Sequence, residues 1–453
     1  MKQSIDPFSL ESLYEAPYDS LSTTQKRIQS LDKAYQTWRT KDLNTRLEAI
    51  SKISKILEAK KQDIATHISR EMGKPITQAI AELDKSILLC DYYVKNSVSL
   101  LKNTQSPNTC YKPLGVILGI MPWNFPIWQV IRFAIPTLIM GNSVLIKPAP
   151  NVSLTSALLN TCFSSLNVFD MATFDTKDTD SILSNKAIKA LSLTGSSKAG
   201  SLVASIAGKY LKPCVLELGG NDPFIVCEDL NKNQVQHAAK IAIKARFQNT
   251  GQSCIATKRL LVHQTHLSLF KETFINEMKK ITIGDPKNPD TQMGPLARAD
   301  LLDTLQKQVH TSLQMGASMT YQAPVPKELK GYFYPPTLLE NITDTIPIFK
   351  EELFGPAIGL VSFSDNQEAI KLANNSCYGL GASVWSQDKK TQDLFSQNLE
   401  VGSVFINDMV KSDISLPFGG IKESGYGREL GLAGLLSFAN LKTTVTTELI
   451  KTN

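Results

Sequence analysis

The chain has 453 residues, is 42% hydrophobic and carries a formal net charge of +6. That length points to two or three domains around a substantial core. The positive excess is dispersed along the chain, which suits solubility and a mild pull on anionic small molecules and argues against nucleic acid as partner; no apolar stretch is long enough to span a membrane.

Residues 1–20 lack the apolar core of a secretory leader, so none is expected. Residues 22–104 are rich in Lys, Glu, Gln, Leu and Ile at helical spacing, clearest in "TRLEAISKISKILEAKKQDIATHISREMGK". The character then changes. "LGVILGI" (114–120), "GNSVLIKP" (141–148), "IKALSLTGS" (188–196) and "KPCVLELGG" (212–220) are short apolar or β-branched runs, each closed by Gly, Pro or polar residues. Helical patterns lie between most of them, which predicts a parallel α/β sheet. A second set follows at 258–263, 357–363, 381–386 and 402–408, with helices expected near 264–280, 296–316, 365–375 and 388–398, and predicts a second α/β domain. The Thr/Val-rich tail "NLKTTVTTEL" (440–449) reads as an exposed strand that needs an edge to pair with, and another subunit could supply it.

Seven cysteines, an odd count without framework spacing, point to a reducing cytoplasm. Cys254 alone stands in a neutral loop of small and amide side chains, "FQNTGQSCIA". A buried free cysteine is the residue's commonest fate, but a thiol among small residues is also open to attack on a substrate. The five histidines lie in polar, surface-like contexts without zinc spacing, which disfavours a Cys-His hydrolase and a metal site.

Three further features bear on chemistry. Glu217 ends the run "VLELGG", where partial desolvation would raise its pKa toward base duty. Asn124 lies in "MPWNFP", between two prolines that stiffen the backbone, and a rigid amide is a good oxyanion donor. Lys147 ends "SVLIK", and Gly195-Ser196 leads into a helix carrying Gly200. Strand ends and helix N-termini cradle phosphates, although the G-x-G-x-x-G fingerprint is absent. Each of these also has a plain structural reading, as a strand-end carboxylate, a proline-rich turn or a helix start.

Taken in order, "PWNFP", "IKP", "LTGSSKAG", "LELGGND", "GQSC", "EELFGP" and "PFGGIKESGYGRE" resemble the aldehyde dehydrogenase superfamily over residues 122–429. The resemblance implies two parallel-sheet α/β domains and a small β oligomerisation arm. The cofactor-binding domain would take 1–95 and 114–219, with 422–438 returning to it. The catalytic domain would take 220–421, and the arm 96–113 and 439–453. It implies Cys254 as the nucleophile, Asn124 with the Cys254 backbone N–H as the oxyanion site, and Glu217 as the base that activates water. For NADP or NAD it implies Trp123, Asn124, Lys147, Pro148, Ala149, Pro150, Gly195, Ser196, Leu218, Glu352 and Phe354. No metal is expected. The partners implied are a small aldehyde and further copies of the chain, as homodimer or homotetramer.

Two features depart from the family pattern. Pro150 stands where NAD-preferring members carry a Glu, so both cofactors are expected to work. The stretch 229–247 is a few residues longer than usual, which is read as a change in a surface helix. Within the superfamily, "KPAPNV" and "ELGGNDPFIV" most resemble the bacterial succinate-semialdehyde dehydrogenases. That implies a site for a distal carboxylate, with Arg132, Gln248 and Ser412 as candidates. The alternatives are another aldehyde specificity, the coenzyme A-acylating branch, which Glu217 opposes, and a non-catalytic descendant.

Overall fold

The computed structural model describes residues 1–104 and 106–447. Two open sheets form its frame. The first has six strands in the order Gly425–Tyr426, Cys214–Glu217, Ile188–Thr194, Val116–Ile120, Ser143–Lys147 and Phe169–Met171. All run parallel except Gly425–Tyr426, which pairs antiparallel with Cys214–Glu217. The chain starts this sheet at Val116–Ile120, builds outward to one side, then returns to add Ile188–Thr194 on the other. Ligands of such sheets bind at the carboxyl ends of the strands, where the order reverses. Here those ends lead into Met121-Pro122-Trp123-Asn124 and Gly195-Ser196.

The second sheet has seven strands in the order Ser318–Gln322, Thr337–Glu340, Ala357–Phe363, Arg259–His263, Pro223–Val226, Gly381–Trp385 and Ser403–Ile406. Only Ser318–Gln322 runs antiparallel to its neighbour. The central strands are buried on both faces, which is why they read as unbroken apolar runs rather than as alternation. The long segment 229–247 holds the helix Lys232–Phe247. Its start is a capping box, Asn231 with Gln234, and its Val235, Ala238, Ala239 and Ala242 pack into the core, so only its outer face is surface.

The segment read as helical over 22–104 forms four helices, Leu21–Trp38, Leu43–Ala59, Lys61–Met72 and Ile76–Lys102. The last helix, and Lys74 in the turn before it, carry side chains to the site. Residues 1–20, which gave no clear pattern, form a hairpin of Lys2–Ile5 and Ser12–Ala16. The C-terminal strand Ala439–Thr443 finds its edge within this chain, antiparallel to Thr109–Pro113. This replaces the expectation that another subunit supplies the pairing, because residues 109–113 are themselves extended and carry free edge groups. Of the proposed arm, residues 105 and 448–453 lie outside the described residues. The histidines also need correction. His263 is buried against Phe363, with Nε2 2.8 Å from the Ser364 carbonyl, so it is a satisfied core histidine. Among the described residues no helix is long and apolar enough to cross a membrane, and no group of three or more His, Cys, Asp and Glu side chains could hold a metal ion.

Candidate active site

Cys254 follows a tight turn. Asn249, Thr250 and Gly251 have φ of 54°, 56° and 74°, three successive residues in the left-handed region. A β-branched threonine adopts that region only when its surroundings impose it. Here Thr250 is fully buried and donates to the Gly294 carbonyl at 3.1 Å. A side chain at Gly251 would place its Cβ 2.6 Å from the Gly355 carbonyl oxygen, so glycine is required where this turn meets the "EELFGP" loop. Gln252 completes the clamp, with Oε1 accepting from the Ala297 N–H at 2.9 Å.

Behind the thiol lies Lys258, a fully buried ammonium that gave no signal in the sequence reading. Its Nζ donates to the carbonyls of Ser253 (2.7 Å) and Cys254 (2.5 Å) and lies 3.7 Å from Glu352 Oε1. Its trace in the sequence is a lysine four residues past the cysteine, directly before the buried strand Arg259–His263. Gly220 faces the same carbonyl, since a Cβ there would stand 2.4 Å from Cys254 O. Burial pushes the Cys254 thiol up to about 12, and the Lys258 charge acts against that rise. The resting thiol is therefore protonated and depends on added positive charge for ionisation.

Asn124 is buried, and one N–H of its Nδ2 donates to the Gln252 carbonyl at 3.0 Å. The second N–H of that amide is left for another acceptor. The Asn124 backbone carbonyl accepts from Lys74 Nζ at 2.9 Å and from Asn249 Nδ2 at 3.0 Å. Lys74 forms an ion pair with Glu82, and both side chains are buried. The other Glu82 oxygen accepts from the N–H groups of Ile127 and Trp128 at 2.9 and 3.0 Å. The helix Ile76–Lys102 and the turn that precedes it thus hold the "PWNFP" loop. Periodicity cannot separate Glu82 from the solvated charges of the same helix, and Lys74 in the turn has no period to mark it.

Glu217 ends its strand and is 2% exposed. Neither carboxylate oxygen has a hydrogen-bond partner among the described residues. Burial raises its pKa well above the carboxylate range, Arg132 and Arg428 oppose the rise, and Glu429 adds to it. A carboxylate with a raised pKa is a stronger base than an exposed one, as removal of a proton from water requires.

Cys254 opens into a cavity of about 250 Å³ that also touches Lys85, Trp128, Arg132, Gln248 and Ser412. The three residues named for a distal carboxylate do meet there, although Arg132 is engaged. Its Nε pairs with the buried Glu429, and its guanidinium lies 5.0 Å from the Phe418 ring. Ser412 accepts a hydrogen bond from Lys85 Nζ at 2.6 Å.

On the opposite side, Trp123 and Phe354 meet edge to face with centroids 5.7 Å apart. Glu352 turns inward, with Oε1 accepting from the Gly220 N–H at 3.0 Å. Ser196 caps the exposed start of helix Ser197–Lys209, accepting from Ala199 N–H at 3.3 Å, and Leu218 packs against Gly200 of that helix. Lys147 is buried at its strand end, with Nζ 5.5 Å from the Phe174 ring. Burial lowers its pKa, and the charge of Asp175, an acid that the sequence reading passed over, favours its protonated form. Pro148 is buried and Ala149 and Pro150 are partly exposed beside it, with no acidic side chain among the three. The open helix start, an aromatic pair and a lysine at the sheet's switch point fit an extended dinucleotide.

Cys254 lines the cavity, Asn124 is tied to the cysteine loop through the Gln252 carbonyl, and the Glu217 charge acts on the thiol, an arrangement that suits acyl transfer beside a dinucleotide cleft. The chain belongs to the aldehyde dehydrogenase family, whose model matches residues 1–444. It is 39% identical over 450 residues to succinate semialdehyde dehydrogenase (NAD(P)+) Sad of Escherichia coli, covering 97% of this chain and 96% of that one. A probable succinate-semialdehyde dehydrogenase (NADP+) of Synechocystis is also 39% identical, over 92% of this chain and 93% of its own. Among solved structures, succinic semialdehyde dehydrogenase from Streptococcus pyogenes in complex with NADP+ superposes with a TM-score of 0.92 at 30% identity, covering 98% of this chain and all of that one. Gox0499 superposes with a TM-score of 0.94 at 31% identity, covering 98% and 99%.

Proposed function

We propose that the protein oxidises succinate semialdehyde to succinate and accepts NADP or NAD. The observation that carries the substrate is the cavity at Cys254, whose lining includes three cations, Lys85, Arg132 and Lys411, as an aldehyde with a distal carboxylate requires. The names of the relatives support the same reading.

In this reading the Cys254 thiol first gives its proton to water, and the thiolate sulfur attacks the aldehyde carbon, forming a C–S bond as the carbonyl π pair moves onto oxygen. The free N–H of Asn124 Nδ2 and the Cys254 backbone N–H hold that oxyanion, and the contacts of Lys74 and Gln252 keep Asn124 in place. A nicotinamide held beside Cys254 would supply the hydride acceptor needed to leave a thioester on the sulfur. Glu217 then takes a proton from water as its oxygen bonds to the acyl carbon, and the C–S bond breaks to return the thiolate. Gly195 and Ser196 would hold the pyrophosphate and Lys147 the adenosine ribose. Trp123, Leu218, Glu352 and Phe354 would line the nicotinamide half, with the Pro148-Ala149-Pro150 turn at the adenosine end. Pro150 neither repels a 2′-phosphate nor accepts from a 2′-OH, which supports use of both cofactors.

All seven cysteines stand free, which suits a reducing cytoplasm. The ribbon of Thr109–Pro113 and Ala439–Thr443 exposes Leu441 at 53%, an apolar edge that suits assembly into a homodimer or homotetramer.

Measuring kcat/KM for succinate semialdehyde, butanal and acetaldehyde with each cofactor tests the proposal. The carboxylated aldehyde is expected to exceed butanal by about tenfold or more, the scale of one charge-assisted contact. Equal values for the two would overturn the substrate assignment. Absence of any aldehyde-dependent cofactor reduction would overturn the reaction.

A further inference from the structure

Three successive carbonyls of the cysteine loop are each held by a donor. The Gln252 carbonyl accepts from Nδ2 of Asn124 at 3.0 Å and from Nδ2 of Asn249 at 3.1 Å. The Ser253 carbonyl accepts from Lys258 Nζ at 2.7 Å and from the Ala256 N–H at 3.2 Å. The Cys254 carbonyl accepts from Lys258 Nζ at 2.5 Å, and Gly220 lies against it. Lys258 is fully buried, and its Nζ is 3.7 Å from Glu352 Oε1, beyond hydrogen-bond reach. Its short contacts are thus to backbone and not to a carboxylate. A buried ammonium is costly to desolvate, and here two peptide carbonyls offset that cost.

A peptide unit is planar and trans, so the Ser253 C=O and the Cys254 N–H point in opposite directions from one rigid plane. Fixing the carbonyl therefore fixes the N–H. That N–H has no acceptor among the described residues. We propose that Lys258 is a positioning residue for the oxyanion: it holds the peptide plane between Ser253 and Cys254 so that the Cys254 N–H stays aimed into the site. The assignment rests on the roles given above to Cys254 and Asn124, and goes further by naming what keeps the backbone donor in place. A positive charge on the carbonyl side also polarises the amide, which makes its N–H a stronger donor. Without Lys258 only the Ala256 N–H would hold the Ser253 carbonyl.

The same ammonium is the cation that most favours the Cys254 thiolate. Burial raises the thiol, Lys258 and Arg132 oppose the rise, and Glu352 and Glu217 add to it. Burial lowers the Lys258 pKa in turn; Glu352, Asp222 and Cys254 favour its charged form, and Arg246 disfavours it. Loss of this cation should therefore move thiolate formation to higher pH. A side chain that only filled space would leave that profile where it is.

Two rates measured on Lys258→Met separate charge from positioning. The first is alkylation of Cys254 by iodoacetamide without cofactor, followed by mass spectrometry as a function of pH; it needs the thiolate and no oxyanion donor. The second is single-turnover NADPH formation with succinate semialdehyde at saturating NADP, which needs both. Alkylation should run about 3- to 10-fold below wild type at each pH, because a higher thiol pKa lowers the thiolate fraction and a gain in nucleophilicity offsets it only in part. Single-turnover reduction should fall about 10- to 100-fold further, the scale of a weakened oxyanion donor. Lys258→Met combined with Asp222→Asn should show the same split. Asn keeps the acceptor for the Gly381 N–H and removes a carboxylate left without its cation, so this second variant serves if the first does not fold. If both rates fall by the same factor, or neither falls, in a variant with wild-type circular dichroism, the positioning role is overturned and the reaction stands. If wild type shows no aldehyde-dependent NADPH formation, the reaction itself is overturned.

Discussion

Around Cys254 the chain is held from every side, whereas around Lys147–Pro150 and Gly195–Ser196 it is held only from behind. In the first region Arg246, Gln252 and Thr250 each bond to backbone of another segment, Lys258 bonds back onto the cysteine loop itself, and three residues accept left-handed conformations to fit. In the second, a strand end and a single serine cap set the backbone, and Ser196 is exposed. The contrast follows from what each side must do. Bond formation at sulfur fails if the reacting atoms are misplaced by about an ångström. A cofactor that leaves after each turnover needs an open surface with modest affinity. The tight side is costly in buried charge and strain, and the ion pairs Lys74–Glu82 and Arg132–Glu429 are part of that cost.

The sharpest way to break the contrast is at the sulfur. Cys254→Ser should lower aldehyde-dependent NADPH formation by about 10³-fold or more, because a serine hydroxyl is essentially never ionised at neutral pH. Cofactor binding, followed by fluorescence quenching, should remain. Substantial turnover would remove Cys254 from its role.

Glu217→Gln comes next, with a steady-state loss of about 10²- to 10⁴-fold, the usual weight of a general base. Rapid mixing should show a burst of about one reduced cofactor per site, since the amide spares thioester formation and blocks its hydrolysis. In wild type, burial holds this carboxyl well above its ordinary range, and only its ionised form accepts a proton. The deacylation rate should thus rise with pH through that raised pKa and become flat in the variant. A sloping profile in the variant would point to a different base.

Lys74→Met tests whether the tight side depends on its remote supports. It leaves Glu82 buried without its partner, which costs about 3–5 kcal/mol. Urea unfolding should show that loss, and kcat should fall as Asn124 loses the contact to its carbonyl. Replacing both residues, Lys74→Met with Glu82→Leu, should recover part of the stability and leave kcat low. Recovery of both would mean that the pair is only structural.

The smallest effect belongs to the open side. Pro150→Glu should reduce kcat/KM with NADP about two- to fivefold, the scale of exposed charge pairs, and leave NAD use close to wild type. Equal loss with both cofactors would show that the turn acts through shape and not through charge.

The amino-acid sequence by itself settled the elements whose cause is local. Short apolar runs closed by Gly and Pro marked four strands of each sheet, though not Phe169–Met171, Gly425–Tyr426, Pro223–Val226, Ser318–Gln322 or Thr337–Glu340, and 3.6-residue spacing marked helices between them. Cys254, Asn124 and Glu217 stood out because a thiol in a neutral loop, an amide between prolines and a carboxylate at a strand end are each unusual in their own few residues. Lys258, Lys74, Glu82 and Lys85 did not stand out, because a lysine or glutamate in a helix, in the turn before one or before a strand looks the same whether it meets water or a buried partner. Only the tertiary structure decided that Lys74 reaches the Asn124 carbonyl, that Arg132 is claimed by Glu429, and that Lys85 meets Ser412 across 327 residues. It also decided that the terminal strand pairs with residues 109–113 of its own chain. The physical reason is one of range. Backbone preference and hydrophobic period act over a few residues, whereas the partner of a buried charge is chosen by which distant segments the packing brings within about 3 Å of it.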